Sequence, residues 1–148
     1  TGLSTLSMAL GLPDDGNLIT LDKNTETNTK AQSFFKKANQ DKKIKTIVKP
    51  ALETLEELRN NNLIFDIIFI DADKDNYKNY YDKVIQMTKS GGLIIIDNVL
   101  WYGEVADVKN KEKFTKIIRD FNIYVKNDKR TEQIILPLGD GLTICSKL

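Results

Sequence analysis

The side chains best suited to chemistry follow two short apolar runs. Residues 71–77 read Asp-Ala-Asp-Lys-Asp-Asn-Tyr directly after one run, and Asp97 and Asn98 directly follow another. Carboxylate and amide oxygens are the ligands that hard divalent cations prefer, and such sites keep positions open for water or substrate. Asp71, Asp97 and Asn98 therefore predict a site for a divalent cation, which is Mg²⁺ or alternatively Ca²⁺ or Mn²⁺.

Three further features are candidates for catalysis or cofactor binding. Lys74 could act as a general base or could be an ordinary surface lysine. Asp22 ends an apolar run about twenty residues after Gly2, where an acid commonly binds the ribose of a nucleotide-like cofactor. Gly2 and Ser4 lead into a helix whose first N–H groups can receive an anionic group. The alternatives are that Asp22, like the other strand-end acids, only caps the next helix, and that Ser4 is an ordinary N-cap.

The absence of histidine excludes several kinds of active site. The sequence holds no Ser-His-Asp triad, no Cys-His pair and no His-ligated zinc. A single cysteine, Cys145, is typical of a reducing, cytoplasmic compartment. The net charge of +1 argues against a dedicated nucleic-acid binder. The apolar runs are too short to span a bilayer, so no membrane association is expected.

Strands and helices must alternate to position these groups. Apolar runs of strand length lie at residues 18–21, 44–48, 65–70, 93–96, 133–136 and 142–145. Helical stretches are expected at residues 6–10, 26–39, 51–60, 76–89 and 111–125. This alternation predicts an α/β fold with a mostly parallel sheet covered by helices on both faces.

Two details of the predicted sheet matter for the site. Residues 67–70 and 93–96 are continuously apolar, which predicts central strands buried on both faces. The connection at residues 137–141 is too short for a crossover helix, so the last two strands should form an antiparallel hairpin. Because parallel strands end at one edge, Asp22, Asp71 and Asp97 should line one crevice.

Four segments carry a resemblance to a known family. They are Thr-Gly-Leu-Ser-Thr-Leu-Ser-Met-Ala, Phe-Ile-Asp-Ala-Asp-Lys-Asp-Asn-Tyr, Gly-Gly-Leu-Ile-Ile-Ile-Asp-Asn-Val-Leu-Trp and Leu-Pro-Leu-Gly-Asp-Gly-Leu-Thr, in that order. Together they resemble the cation-dependent O-methyltransferases, which include the caffeoyl-CoA and catechol O-methyltransferases, over essentially the whole chain. The resemblance implies a Rossmann-like class I methyltransferase fold, with residues 1–148 as one partial domain and S-adenosylmethionine as cofactor.

The resemblance also implies a role for each matching residue. The metal ligands would be Asp71, Asp97 and Asn98, and the catalytic base would be Lys74. The residues that contact S-adenosylmethionine would be Gly2, Ser4, Asp22, Ala51 and Asp73. The residues that recognise the methyl acceptor would be Trp101 and Tyr102.

The sequence also departs from the family pattern. Lys49 stands where the family usually has Gly, and Tyr102 stands where plant members have Asn, so a CoA-linked plant-type acceptor is not expected. The family's first strand and an N-terminal helical segment would precede Thr1. We therefore expect an N-terminally truncated chain that lacks a central strand of the sheet.

The expected reaction is methyl transfer to a catechol-like small phenol with two vicinal oxygens, by an enzyme whose full-length form is a homodimer. An alternative acceptor is a hydroxyuridine in tRNA, whose phosphates the lysines at positions 36, 37, 42, 43, 45 and 49 would contact. A non-catalytic truncated fragment is an alternative of another class. A phospho-receiver domain also has acids at its strand ends, but it gives no reason for Asp97-Asn98 or for the hairpin.

Overall fold

The computed structural model describes residues 2–148. They form two compact units, one that ends at Glu57 and one that comprises Leu58–Leu148. The strands form a two-stranded sheet and a four-stranded sheet. The expectation of a single domain over residues 1–148 stays a prediction.

The N-terminal unit consists of two parallel strands and their helices. Its elements are α1 (Leu3–Gly11), β1 (Leu18–Asp22), α2 (Thr25–Lys37), β2 (Ile44–Val48) and the first part of α3 (Ala51–Asn60). Strands β1 and β2 pair in parallel over their full lengths. The core between sheet and helices is made by Ala9, Ala31, Phe35 and Ile44, with Leu6 and Leu18 packed against it. This small core holds α1 and α2 against the sheet.

The C-terminal unit is a four-stranded sheet with two long helices. After α3 come β3 (Phe65–Ile70), α4 (Tyr77–Met87), β4 (Thr88–Asp97), α5 (Lys113–Lys126), β5 (Thr131–Leu136) and β6 (Leu142–Lys147). The strand order is β3-β4-β6-β5, with β3 parallel to β4 and the other two pairings antiparallel. The predicted α/β fold and its C-terminal hairpin are confirmed. No helix in residues 2–148 is long and apolar enough to cross a membrane.

Helix α5 packs through an apolar stripe along one face. Ile118, Phe121 and Val125 are buried, whereas Phe114, at the start of the helix, is 40% exposed. The ring of Phe121 meets that of Tyr77 edge-on, with centroids 5.4 Å apart, an arrangement that aromatic quadrupoles favour. This contact holds the start of α4 against α5.

Strand β3 is less buried than its apolar run predicts. Ile67 is 54% exposed, although Ile70 is buried. Within residues 2–148, β3 pairs with β4 on one side and with no strand on the other. The expectation of burial on both faces is therefore wrong for Ile67, because β3 is an edge strand here. In β4 the expectation holds for one face, where Ile94 and Ile96 are fully buried, whereas Leu93 and Ile95 on the opposite face are only partly buried.

Strand β4 begins earlier than expected, at Thr88, and α4 accordingly ends at Met87 rather than at residue 89. Thr88 pairs with Phe65 beyond an irregularity in the register between β3 and β4. A Cβ atom on Gly92 would lie 2.9 Å from the carbonyl oxygen of Asp66, so only glycine allows the two strands to approach here.

Candidate functional site

Two predicted metal ligands lie side by side at the carboxyl ends of β3 and β4. Ile70 pairs with Ile96 in the parallel register, so Asp71 and Asp97 occupy corresponding positions at the same edge of the sheet. Asn98, the next residue, has a φ of 58°, in the left-handed region that asparagine tolerates better than most residues. The backbone therefore brings all three predicted ligands to one end of two adjacent strands.

The ammonium group of Lys74 lies among these side chains. Its Nζ donates a hydrogen bond to Asn98 Oδ1 at 2.8 Å and forms an ion pair with Asp71 Oδ1 at 3.5 Å. The Lys74 side chain is only 12% exposed, whereas that of Asp71 is 46% exposed. Lys74 is therefore not an ordinary surface lysine, and it points at the predicted ligands.

The phenol of Tyr77 joins Lys74 to the end of β4. Its hydroxyl accepts a hydrogen bond from Lys74 Nζ and donates one to the carbonyl oxygen of Asp97 at 2.8 Å. Burial, reinforced by the negative charges of Asp71 and Asp97, raises the pKa of Tyr77 far above its ordinary value. Tyr77 therefore stays protonated and acts as a fixed donor.

The other two carboxylates of the 71–77 cluster, Asp73 and Asp75, have partners of their own. Asp73 accepts hydrogen bonds from the Tyr80 hydroxyl at 2.6 Å and from Asn76 Nδ2 at 2.5 Å. Burial and the bond to Asp73 raise the pKa of Tyr80. Asp75 pairs with Lys113 of α5 at 2.7 Å. Asp73 thus orders the turn that presents Lys74, and its predicted contact with S-adenosylmethionine stays a prediction.

The donor set fits a hard divalent cation. The ammonium group of Lys74 is itself a cation on which oxygens of Asp71 and Asn98 converge. The carboxylate of Asp97 accepts the backbone N–H of Asn98 at 2.7 Å, which orders the turn between these two predicted ligands. Within residues 2–148 there is no group of three or more acidic or cysteine side chains that could hold a metal. The predicted ligand set contains two carboxylates, those of Asp71 and Asp97, and its third ligand is the amide oxygen of Asn98.

In the N-terminal unit, Asp22 lies at the carboxyl end of β1, and its carboxylate accepts the N–H of Asn24 at 2.9 Å. Asn24, not Asp22, is the N-cap of α2. The alternative that Asp22 only caps the next helix is therefore wrong.

The start of α1 also differs from the simple alternative. Its N-cap is Gly2, with φ 80°, and Ser4 lies inside the first turn, so the interpretation of Ser4 as the N-cap is wrong. A Cβ atom on Gly2 would lie 2.6 Å from that of Ala31, so glycine is needed for both conformation and space. Ala51 is the first residue of α3, and nearby Lys49 forms an ion pair with Glu57 at 2.8 Å.

The predicted acceptor residues lie in the connection between β4 and α5, residues 98–112, here named the acceptor loop. Trp101 is partly buried, with its ring centroid 5.7 Å from that of Phe114, and Tyr102 is 83% exposed. The N–H of Tyr102 donates to Asp140 Oδ1 at 2.5 Å. A Cβ atom on Gly141 would lie 2.4 Å from Leu100, so the hairpin turn packs directly against the acceptor loop.

Sequence reasoning missed the roles of Tyr77 and Arg119. The only sequence feature that could have indicated a role for Tyr77 is its place in the polar cluster 71–77. Its contact with Asp97 could not be predicted, because that contact depends on strand pairing. Arg119 donates to four backbone carbonyl oxygens of the acceptor loop. No local pattern distinguishes it from other basic residues of an amphipathic helix.

Comparison with known proteins gives consistent similarities. The family model described as O-methyltransferase matches residues 1–148. A probable caffeoyl-CoA O-methyltransferase 2 from Dictyostelium discoideum is 40% identical over 151 residues, which cover 100% of this chain and 65% of that protein. The caffeoyl-CoA O-methyltransferase of Medicago sativa is 40% identical over 157 residues, covering 100% of this chain and 64% of that protein. The chain thus spans slightly less than two thirds of the length of these curated relatives.

A solved structure shows the same fold. The O-methyltransferase from Bacillus cereus, crystallised in complex with SAH, superposes with a TM-score of 0.88 at 29% identity. The superposition covers 99% of this chain and 68% of that one. The chain therefore has the α/β methyltransferase fold.

Proposed function

Because the chain belongs to the O-methyltransferase family, we propose that it takes part in S-adenosylmethionine-dependent, divalent-cation-dependent methyl transfer to a small catechol-like phenol. The observation that carries this proposal is the convergence of Lys74 Nζ with oxygens of Asp71 and Asn98 at the ends of β3 and β4. A proton acceptor beside oxygen ligands is what the activation of a diol hydroxyl needs.

Each residue of the site has a defined task in the proposed reaction. Asp71, Asp97 and Asn98 hold the cation, which supplies electrostatic stabilisation of the acceptor oxyanion when bound. Lys74, in its neutral amine form, takes the proton of the reacting hydroxyl at Nζ, and Tyr77 keeps that nitrogen in place through its hydroxyl. Positioning of the acceptor oxygen then supplies much of the rate enhancement in a displacement of this kind.

The cofactor assignment has separate support. The Bacillus cereus relative was crystallised with SAH, the product of methyl donation. In this chain, Gly2 and Ser4 place the first turn of α1 where its N–H groups can receive a carboxylate. Asp22 offers a carboxylate at the end of β1 for ribose hydroxyls. We propose that these residues, with Ala51 and Asp73, bind S-adenosylmethionine.

The acceptor is proposed to be a small phenol rather than tRNA. Of the lysines that would contact phosphates, Lys49 pairs with Glu57, and Lys43 donates to the carbonyl oxygen of Leu12 at 3.1 Å. Ion pairing reduces the charge that Lys49 can offer to a phosphate backbone. The exposed Tyr102 and the ring of Trp101, with centroids 5.7 Å apart and planes at 59°, supply an aromatic surface that suits an aromatic acceptor.

A methyl-transfer assay with catechol and with tRNA, each with Mg²⁺ and with chelator, tests the proposal. Mg²⁺-dependent methylation of catechol by the wild-type protein, lost in Asp71→Asn, is the expected result. Asp66→Asn is the matched control, because Asp66 is an exposed residue of β3, the strand that Asp71 follows, and pairs with Lys89. Methylation of tRNA but not of catechol would show that the acceptor is tRNA and not a small phenol. No transfer to either, with no S-adenosylmethionine binding by calorimetry, would favour the non-catalytic alternative.

A further inference from the structure

The acceptor loop has a backbone shape that needs outside support. Asn98, Trp101 and Tyr102 have positive φ angles of 58°, 48° and 55°, and Gly103 follows with 81°. Residues other than glycine adopt positive φ angles at an energetic cost, and they keep them only where surrounding groups impose them. Its only helical segment is the short 3₁₀ turn Glu104–Ala106. Contacts with the rest of the protein must therefore hold the loop in place.

Arg119 of α5 supplies a large set of such contacts. Its guanidinium group donates to four carbonyl oxygens of the loop, at distances of 3.1, 3.3, 3.4 and 2.8 Å. These belong to Val105, Asn110, Glu104 and Asp107, respectively. Arginine presents five N–H donors in a rigid plane, so one side chain can bind several carbonyls at once. A lysine could not satisfy this set with its single ammonium group.

These four carbonyls lie close to the acceptor residues along the chain. The N–H of Glu104 donates to the carbonyl oxygen of Trp101 at 2.9 Å, which links the 3₁₀ turn to the aromatic pair. One turn further along α5, Asn122 Nδ2 donates to the carbonyl oxygen of Val99 at 2.8 Å. Residues three apart lie on one face of a helix. Arg119 and Asn122 therefore hold the loop on both sides of Trp101.

We propose that Arg119 is a positioning residue for acceptor recognition, which fixes Trp101 and Tyr102 by binding the backbone that follows them. The identity of the bound molecule rests on the proposed function, whereas the dependence of the loop on Arg119 does not. Loss of Arg119 weakens acceptor binding because the aromatic surface is no longer held in one arrangement.

Fluorescence offers a direct test, because Trp101 is the single tryptophan in these 148 residues. Acrylamide quenching and anisotropy of Trp101 are measured in the wild-type protein, Arg119→Met and Arg119→Lys. Lys116→Met is the matched control, because Lys116 lies one turn earlier on α5, is exposed and pairs with Asp120. Urea unfolding of each variant establishes that it is folded. The KM for catechol and the affinity for S-adenosylmethionine are measured in parallel.

Both Arg119 variants should show stronger quenching and lower anisotropy than the wild-type protein and Lys116→Met. The KM for catechol should rise about tenfold with a smaller change in kcat, the pattern of lost binding, and S-adenosylmethionine affinity should stay unchanged. The same fluorescence change in a protein without methyl transfer would support loop positioning and refute the proposed function alone. Unaltered quenching in folded Arg119 variants would overturn the inference, as would failure of both Arg119 variants to fold, since Arg119 would then be a general structural residue.

Discussion

Removal of the Lys74 ammonium group is predicted to change cation binding and turnover in opposite directions. Lys74→Met keeps an unbranched apolar side chain and removes the charge. In the wild-type protein, Nζ contacts Asn98 Oδ1 at 2.8 Å and Asp71 Oδ1 at 3.5 Å. A divalent cation bound by these oxygens competes with the ammonium group for the same lone pairs. The substitution therefore removes a competitor as well as the proposed base.

The contacts set the expected size of both effects. A hydrogen bond that involves a charged group contributes about 1.5–3 kcal/mol, and an ion pair with a half-exposed partner such as Asp71 adds about 0–1 kcal/mol. In the wild-type protein a bound cation must displace the Lys74 contacts, at a cost of about 2 kcal/mol. Lys74→Met removes this cost, so it should bind Mg²⁺ about 30-fold more tightly. Methyl transfer should fall by about 10²–10⁴-fold, because the acceptor hydroxyl loses its proton acceptor. Affinity for S-adenosylmethionine should not change.

Isothermal titration with Mg²⁺ and a methyl-transfer assay at saturating S-adenosylmethionine measure the two effects on the same samples. Lys78→Met is the matched control, because it removes the same charge from an exposed residue near the start of α4, whose Nζ lies 4.3 Å from the Tyr124 ring centroid. The control should bind Mg²⁺ and turn over like the wild-type protein. If Lys74→Met binds Mg²⁺ no more tightly and keeps its turnover, both the competition and the role as base are refuted.

Three further substitutions have definite expected outcomes. Asp97→Ala should abolish stimulation of methyl transfer by Mg²⁺, and a Mg²⁺ titration that still stimulates the variant would contradict the ligand assignment. Gly2→Ala should lower the free energy of unfolding in urea by about 2–4 kcal/mol, because it puts a Cβ atom 2.8 Å from the Phe35 ring at positive φ. Arg130 holds the pKa of Asp128 below its ordinary value, so Asp128→Asn should cost about 1 kcal/mol at neutral pH. Stabilisation by Asp128 is fully present above the ordinary aspartate pKa and is lost as the pH falls through the lowered pKa. Urea unfolding at decreasing pH should therefore show the stability difference between the wild-type protein and Asp128→Asn disappear.

Local patterns predicted the elements whose boundaries depend on local residues. The run from Ile44 to Val48 is a strand with the predicted bounds, and the helix at Ala51–Asn60 also begins and ends as predicted. In both cases the apolar pattern and the flanking polar residues mark the bounds of the element. The start of β4 was missed because Thr88 is brought into the sheet by pairing with Phe65 across a register irregularity.

The residue types of the candidate site were also predictable, but their contacts were not. Acids at the ends of apolar runs indicate positions at the carboxyl edge of a sheet, and Asp71 and Asp97 lie there. The contact of Lys74 with Asn98 joins residues 24 positions apart, and it exists only after β3 and β4 have paired. Arg119 binds carbonyls of a loop without periodicity, so its sequence context carries no sign of its partners.

The order of strands in the C-terminal sheet determines when the site can form during protein synthesis. Strand β6 is made after β4 and β5, yet it lies between them in the sheet. Asp97, at the end of β4, therefore gains its neighbour Leu142 only after the C-terminal hairpin has left the ribosome. Until then one edge of β4 is unpaired, and unpaired edges bind other strands readily. Before β6 pairs, the chain therefore exposes one more strand edge than the folded chain does, and its need of a chaperone is greater.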